Sequence, residues 1–155
     1  MNNTAIALGS NLGDREAHLT SAVHDLQAIL TDVRVSSWHE TAPVGVSPQP
    51  NFLNGAVIGR TTLPPRVLLA RLLAIERAHG RERPHEGAPR TLDLDLILYG
   101  GEAIDEPDLR VPHPGFRERL FVLEPLAEIA SDWVDPVTGL AVSDLLAALR
   151  SRQQS

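Results

Sequence analysis

An α+β fold, an antiparallel sheet with helices packed on it, is what this 155-residue sequence predicts. Three observations carry that expectation. Short apolar or alternating runs bounded by Gly, Pro and Asn read as strands. Two leucine-rich stretches at helical spacing, each with a start or stop signal, lie between them. The segments are ordered as strand, helix, strand, strand, helix, strand, which fits a ferredoxin-like sheet with C-terminal helical additions. A hydrophobic content of 43% over this length can fill a core, and no repeat or second core is visible, so one domain over 1–155 is expected.

The first run, Thr4 to Leu8, reads as a buried strand entering a tight loop, Gly9-Ser10-Asn11-Leu12-Gly13-Asp14. Turn chemistry alone accounts for that loop, and so would backbone approaching a ligand; it is not the GxGxxG pattern of a dinucleotide fold. Asp14 is placed to cap a helix from about Arg15 to Leu30, with Leu19, Val23, Leu26 and Leu30 on one face. Val33 and Val35 open a second strand that should end near Glu40. A proline-rich stretch, 41–50, then reads as a stiff connection, equally fit to be a plain link or a wall for a flat heterocycle. Phe52 to Thr61 forms the next strand, with Phe52, Asn54, Ala56 and Ile58 on one face. Asn54 among apolar neighbours needs a partner, which a core backbone group or a ligand could supply.

Pro64-Pro65 opens a helix running to about His79, with Gly80 as its C-terminal stop and Leu68, Leu69, Leu72, Leu73 and Ile75 as its buried side. Glu76 lies near the C-terminal end, where the helix dipole disfavours a carboxylate, so it is either a surface residue or a placed acceptor. The polar stretch 81–89 suits a mobile lid. After the next strand, Gly100-Gly101 suggests a tight turn into a short return strand near Glu102 to Ile104. His113 comes later, boxed by Pro112 and Pro114. Phe121 to Ile129 reads as a packed segment broken by Pro125, and a last helix spans about Ser143 to Arg150.

Composition narrows the chemistry. The net charge of −6 argues against general nucleic-acid affinity, and there is no cysteine for disulfides, thiolate metal sites or a thiol nucleophile. All 14 basic residues are arginines, which excludes a P-loop lysine and Schiff-base chemistry. Without a run of about 18 apolar residues or a signal-peptide pattern, a cytoplasmic protein with no membrane partner is expected.

The stretch from Thr91 to Leu98 concentrates the interest. Leu92, Leu94, Leu96 and Leu98 alternate onto one face, leaving Asp93, Asp95, Ile97 and Tyr99 on the other. Two carboxylates about 6.6–6.8 Å apart along a strand can hold a divalent metal, or can simply face solvent on an edge strand. Arg81, Arg83 and Arg90 upstream, His113, Arg117 and Arg119 downstream, and the Phe52/Asn54 pair converge on that strand. An acidic pair among arginines suits metal-bound polyphosphate better than proton donation, because the arginines keep both carboxylates ionised.

The motifs Gly9-Ser10-Asn11-Leu12-Gly13, Thr41-Ala42-Pro43-Val44-Gly45, Phe52-Leu53-Asn54, Glu76 with Gly80-Arg81, Pro89-Arg90-Thr91-Leu92-Asp93-Leu94-Asp95, and Val111-Pro112-His113-Pro114 through Arg119 and Phe121 occur in this order. In them the chain resembles the 6-hydroxymethyl-7,8-dihydropterin pyrophosphokinases of folate biosynthesis, over nearly its whole length. The resemblance implies transfer of pyrophosphate from ATP to the pterin hydroxymethyl group, with release of AMP. It implies two Mg2+ ions on Asp93 and Asp95, and ATP contacts from Glu76, Arg81, Arg83, Arg90, His113 and Arg119. It also implies a pterin pocket of Gly9, Thr41, Val44, Phe52, Asn54 and Phe121. Arg81, Arg90 and Asp95 would be the catalytic residues, and the enzyme would be a monomer. The chain departs from the family at Glu86 and Gly87, where a basic residue and a tryptophan are common, which implies a looser hold on ATP. A metal-dependent phosphohydrolase and a catalytically idle regulatory module are the rival readings. The first lacks further His/Asp ligands, and the second would have no use for the retained charges.

Overall fold

The computed structural model describes residues 1–42, 49–80 and 91–154. The expected lid, the proline-rich stretch 43–48 and with them Val44, Arg81, Arg83, Glu86, Gly87 and Arg90 lie outside the described residues. The first strand, β1 (Asn2–Ser10), leads into α1 (Arg15–Leu26), whose start is fixed by the Asp14 carboxylate accepting the Ala17 N–H at 3.1 Å. The expected second strand is two short ones, β2 (Thr31–Val35) and β3 (His39–Thr41), both paired with β4 (Phe52–Thr61). The break falls where the Ser36 hydroxyl, rather than a strand carbonyl, accepts the Ala56 N–H at 2.8 Å.

Next comes α2 (Pro65–Ala78), begun by Pro65 and ended at Gly80, whose φ of +74° is the left-handed stop that glycine adopts without strain. The acidic strand is β5 (Asp93–Tyr99). All neighbours in the order β2-β4-β1-β5 are antiparallel, the ferredoxin-like arrangement that the element order implied. The return strand expected near Glu102 does not pair with β5. Instead β6 (Ile104–Glu106) and β7 (Leu109–Val111) form a hairpin of their own.

One sheet face carries Ile6, Leu8, Val57, Leu94 and Leu96 against Leu19, Ala22 and Leu26 of α1 and Leu68 and Leu72 of α2. The other carries Ala5, Ala7, Ala56 and Ile58, and is covered by α3 (Leu120–Ala130) and α4 (Val142–Gln154). Small alanines on that face let α3 approach closely. Pro125 does not break this segment as expected but sits buried inside α3. Its missing N–H and ring clash cost about 3 kcal/mol in a helix interior, which burial of Val122, Leu123, Leu126 and Ala130 around it offsets.

A β-bulge corrects the expected faces of β5. Ala5 pairs with Leu98 while its neighbour Ile6 pairs with Leu96, so Ile97 is an extra residue. Leu98 therefore joins the α3/α4 core, and Tyr99 crosses to the α1/α2 side. There its hydroxyl donates to the Leu63 carbonyl at 2.6 Å and accepts from Asn2 Nδ2 at 3.1 Å. Among the described residues no helix is long and apolar enough to cross a membrane.

Candidate active site

Directly opposed residues of paired strands share a face. His39, Asn54, Gly9 and Asp93 are such partners in succession across β3, β4, β1 and β5, and form one row. Thr41 and Phe52 make the row nearer the sheet end, and Ala56, Ala7 and Asp95 the row nearer the core. Two inter-strand steps, about 9.5 Å, thus separate Asn54 from Asp93, with only Gly9 between. The two aspartates are successive residues of the same face, both partly exposed. Gly9 is needed here: a Cβ would come 3.0 Å from Asn54 Oδ1 and 3.7 Å from Phe52 Cδ1. Asn54 is 6% exposed, and its amide orientation is set by Nδ2 donating to Thr41 Oγ1 at 2.5 Å, with Oδ1 left over Gly9.

Glu76 is not a surface residue. It is 2% exposed and reaches the outer edge of β5, where it accepts the Leu94 N–H at 2.7 Å. Thr91 Oγ1 donates to the His79 carbonyl at 2.7 Å, so the end of α2 is tied to the strand entrance at two places.

His113 donates its backbone N–H to the Ile97 carbonyl at 3.1 Å, anchoring it beside β5. Its ring Nδ1 accepts the Gly115 N–H at 3.1 Å, which leaves Nε2 to carry the proton of the neutral ring. Burial first, and then the Arg119 charge, push the His113 pKa below its usual value, against the pull of Asp93. The His113 ring therefore feels the charges of both Arg119 and Asp93. Gly115 leaves room for Arg119, since a Cβ there would sit 3.0 Å from the guanidinium. That guanidinium lies over the Phe121 ring at 5.7 Å from its centre, and Phe121 packs partly buried at the start of α3.

Arg117, expected to converge on the acidic strand with its neighbours, does not. Its guanidinium grips Asp135, a side chain with no exposure, through Nε–H to Oδ2 at 2.5 Å and a second bond to Oδ1 at 3.0 Å. The structure thus brings Asp93, Asp95, Gly9, Thr41, Phe52 and Asn54 to one end of one sheet face, places His113, Arg119 and Phe121 beside it, and sends Arg117 elsewhere. Sequence reading missed Ser37, His39 and Glu128, which are bonded to one another next to this row. Strand parity with Thr41 could have found His39.

This geometry has relatives. Residues 5–131 match the model of the 7,8-dihydro-6-hydroxymethylpterin-pyrophosphokinase family. The 2-amino-4-hydroxy-6-hydroxymethyldihydropteridine pyrophosphokinase of Bacillus subtilis is 52% identical over 132 residues, 83% of this chain and 79% of the relative. The Synechocystis enzyme of the same name is 44% identical over 143 residues, 91% of this chain and 73% of the relative. Among solved structures, wild-type Plasmodium falciparum HPPK-DHPS superposes with a TM-score of 0.75 over 99% of this chain at 15% identity. This chain spans 45% of that longer one, and at such identity the likeness concerns the fold. With a family match over most of its length and relatives of high identity, the chain belongs to the 7,8-dihydro-6-hydroxymethylpterin-pyrophosphokinase family.

Proposed function

We infer that the protein transfers pyrophosphate from ATP to the hydroxymethyl group of 6-hydroxymethyl-7,8-dihydropterin, releasing AMP, as a step of folate synthesis. The observation that carries this reading is the continuous face in which an amide-and-aromatic pair and two carboxylates flank a bare glycine. Phe52 and Phe121 offer ring faces for stacking a flat heterocycle, and Asn54, held by Thr41, offers an amide to its edge. Val44, outside the described residues, is assigned to the same pocket from sequence.

Asp93 and Asp95 fit Mg2+, since both are hard oxygen donors and Mg2+ characteristically keeps open positions for phosphate oxygens and water. Two such ions, when bound, would neutralise phosphate charge and polarise the oxygens of an in-line displacement. His113, neutral with its proton on Nε2, donates to a phosphate oxygen without adding a charge that would need a counter-ion. Arg119 supplies the positive charge at the same mouth. Arg81, Arg83 and Arg90 are assigned to ATP from sequence, with Arg81 and Arg90 steadying the leaving AMP. Glu76 holds the edge of β5 in place through the Leu94 N–H. As the hydroxymethyl oxygen bonds to the β-phosphorus it gives up its proton to solvent, and the bond from that phosphorus to the α-phosphate oxygen breaks, AMP leaving with the electron pair. Asp95, on the same sheet face as Asn54, would lie close to the hydroxymethyl oxygen. The same reading makes the enzyme a cytoplasmic monomer.

The test incubates the protein with magnesium, ATP and 6-hydroxymethyl-7,8-dihydropterin. AMP should form only when the pterin is present and should stop when EDTA removes the metal. ADP, or phosphate released without pterin, overturns the reading and favours a phosphohydrolase.

A further inference from the structure

The junction between β2 and β3 carries a polar cluster that the chemistry above does not use. Glu128, on α3, accepts the Ser37 backbone N–H at 2.8 Å and the Ser37 hydroxyl at 2.9 Å, and its other oxygen meets His39 Nε2. The direction these groups take is set on the opposite face. The Trp38 ring lies on Gly55 so closely that a Cβ there would sit 2.3 Å from two ring carbons, and Trp38 packs on the α1/α2 side. With Trp38 turned away, its neighbours Ser37 and His39 face α3. Burial would raise the Glu128 carboxyl, but the Ser37 N–H, the His39 ring and the Ser37 hydroxyl together hold it below the usual carboxylate range, so it is ionised at neutral pH.

Two placements connect this cluster to the site. His39 is the direct cross-strand partner of Asn54. Glu128 lies seven residues after Phe121, two helical turns or about 10.5 Å, so both stand on one stripe of α3. One end of the stripe presents the aromatic ring; the other is bolted to the strand beside Asn54. A contact at Glu128 thus adds to the apolar packing of α3 a polar constraint on its rotation, on the same stripe as Phe121.

We propose that Glu128, gripped by Ser37 and His39, is a positioning residue for pterin recognition, holding the Phe121 ring in register with Asn54. The proposal rests on the pterin reading of that face. Arg119 caps the start of α3 and lies over Phe121, but the turn before it is separately tied through Arg117 to Asp135, so the ATP side should feel this contact much less than the pterin side does.

Steady-state kinetics with both substrates tests it. Glu128→Ala should raise the KM for the pterin about tenfold, as misplacement of a stacking group does, with kcat and the KM for ATP within about twofold of wild type. His39→Phe leaves Glu128 its Ser37 donors and should give a smaller rise of about threefold by the same reasoning, which keeps the test alive should the alanine variant fold poorly. Glu124→Gln is the control: it removes the carboxylate charge that Arg150 pairs with on the α4 side of the same helix and should leave the pterin KM unchanged. An unaltered pterin KM in both Glu128→Ala and His39→Phe, an equal rise in both KM values, or an equal effect of Glu124→Gln overturns the proposal. Wild-type protein that makes no pterin-dependent AMP overturns the functional reading instead.

Discussion

Two regions flank the short turn before α3, and each is built on an arginine. On one side Arg117 forks onto Asp135, which no solvent reaches and which also takes the Val137 N–H at 3.0 Å and the Thr138 hydroxyl at 2.8 Å. On the other, two residues later, Arg119 leans over Phe121 and its charge reaches His113, with no carboxylate in ion-pair distance among the described residues. One guanidinium has a desolvated, fully hydrogen-bonded partner and is part of the fold. The other, in the function proposed above, keeps its charge for the ATP phosphates at the mouth of the candidate site. What separates a structural charge from a functional one here is the partner, not the residue type or its place in the chain.

The contrast can be broken from the structural side first. Asp135→Ala strands the Arg117 guanidinium and should cost about 3 kcal/mol of stability, a fall in Tm of roughly 10 °C for a chain of this size, while kcat/KM measured well below the transition stays near wild type. Burial opposes ionisation of Asp135, but Arg117, the Val137 N–H and the Thr138 hydroxyl outweigh it and hold the folded carboxyl below its usual value. The pair's contribution is thus complete above about pH 4, where the unfolded carboxyl is ionised. It is lost as pH falls through the lower folded value, so the melting temperatures of wild type and variant should converge in acid.

Arg119→Ala should do the converse. It should lower kcat/KM for ATP about 100-fold, some 2.7 kcal/mol of charge stabilisation, with Tm shifted by no more than about 2 °C. A large Tm loss in this variant, measured by calorimetry, would erase the distinction between the two arginines. The smallest effect belongs to the uncharged bond. Thr41→Val takes the acceptor from Asn54 and should raise the pterin KM about fivefold, near 1 kcal/mol, without altering the KM for ATP.

The two arginines also mark the limit of what the sequence could disclose. Nothing local separates Arg117 from Arg119; the partner that decides between them lies 18 residues downstream in Asp135. The paired aspartates, by contrast, were legible, because strand parity alone puts Asp93 and Asp95 on one face, and the same rule aligned Phe52 with Asn54. The bounds of α2 came from Pro65 and Gly80, and the start of α1 from Asp14, all local chemistry. Parity failed only past Leu96, where the extra residue Ile97 exchanged the faces of Leu98 and Tyr99. A bulge is a property of two strands together, and one strand's alternation does not record it. The β6–β7 hairpin escaped for a similar reason: Gly100-Gly101 does mark a turn, but β6 pairs forward with β7 rather than back with β5. Pro125 reads as a helix breaker until the apolar surface on either side of it is counted.

The bond from Leu94 to Glu76 has a consequence beyond holding the site. β5 is the outermost strand of its sheet, and an outermost strand is a template on which a second chain can add itself. Here the template is interrupted twice: the Leu94 N–H is spent on Glu76 and the Ile97 carbonyl on the His113 backbone. A foreign strand approaching at those positions would find a donor and an acceptor already engaged. The residues that seat β5 beside the candidate site thereby also guard the chain against edge-to-edge aggregation.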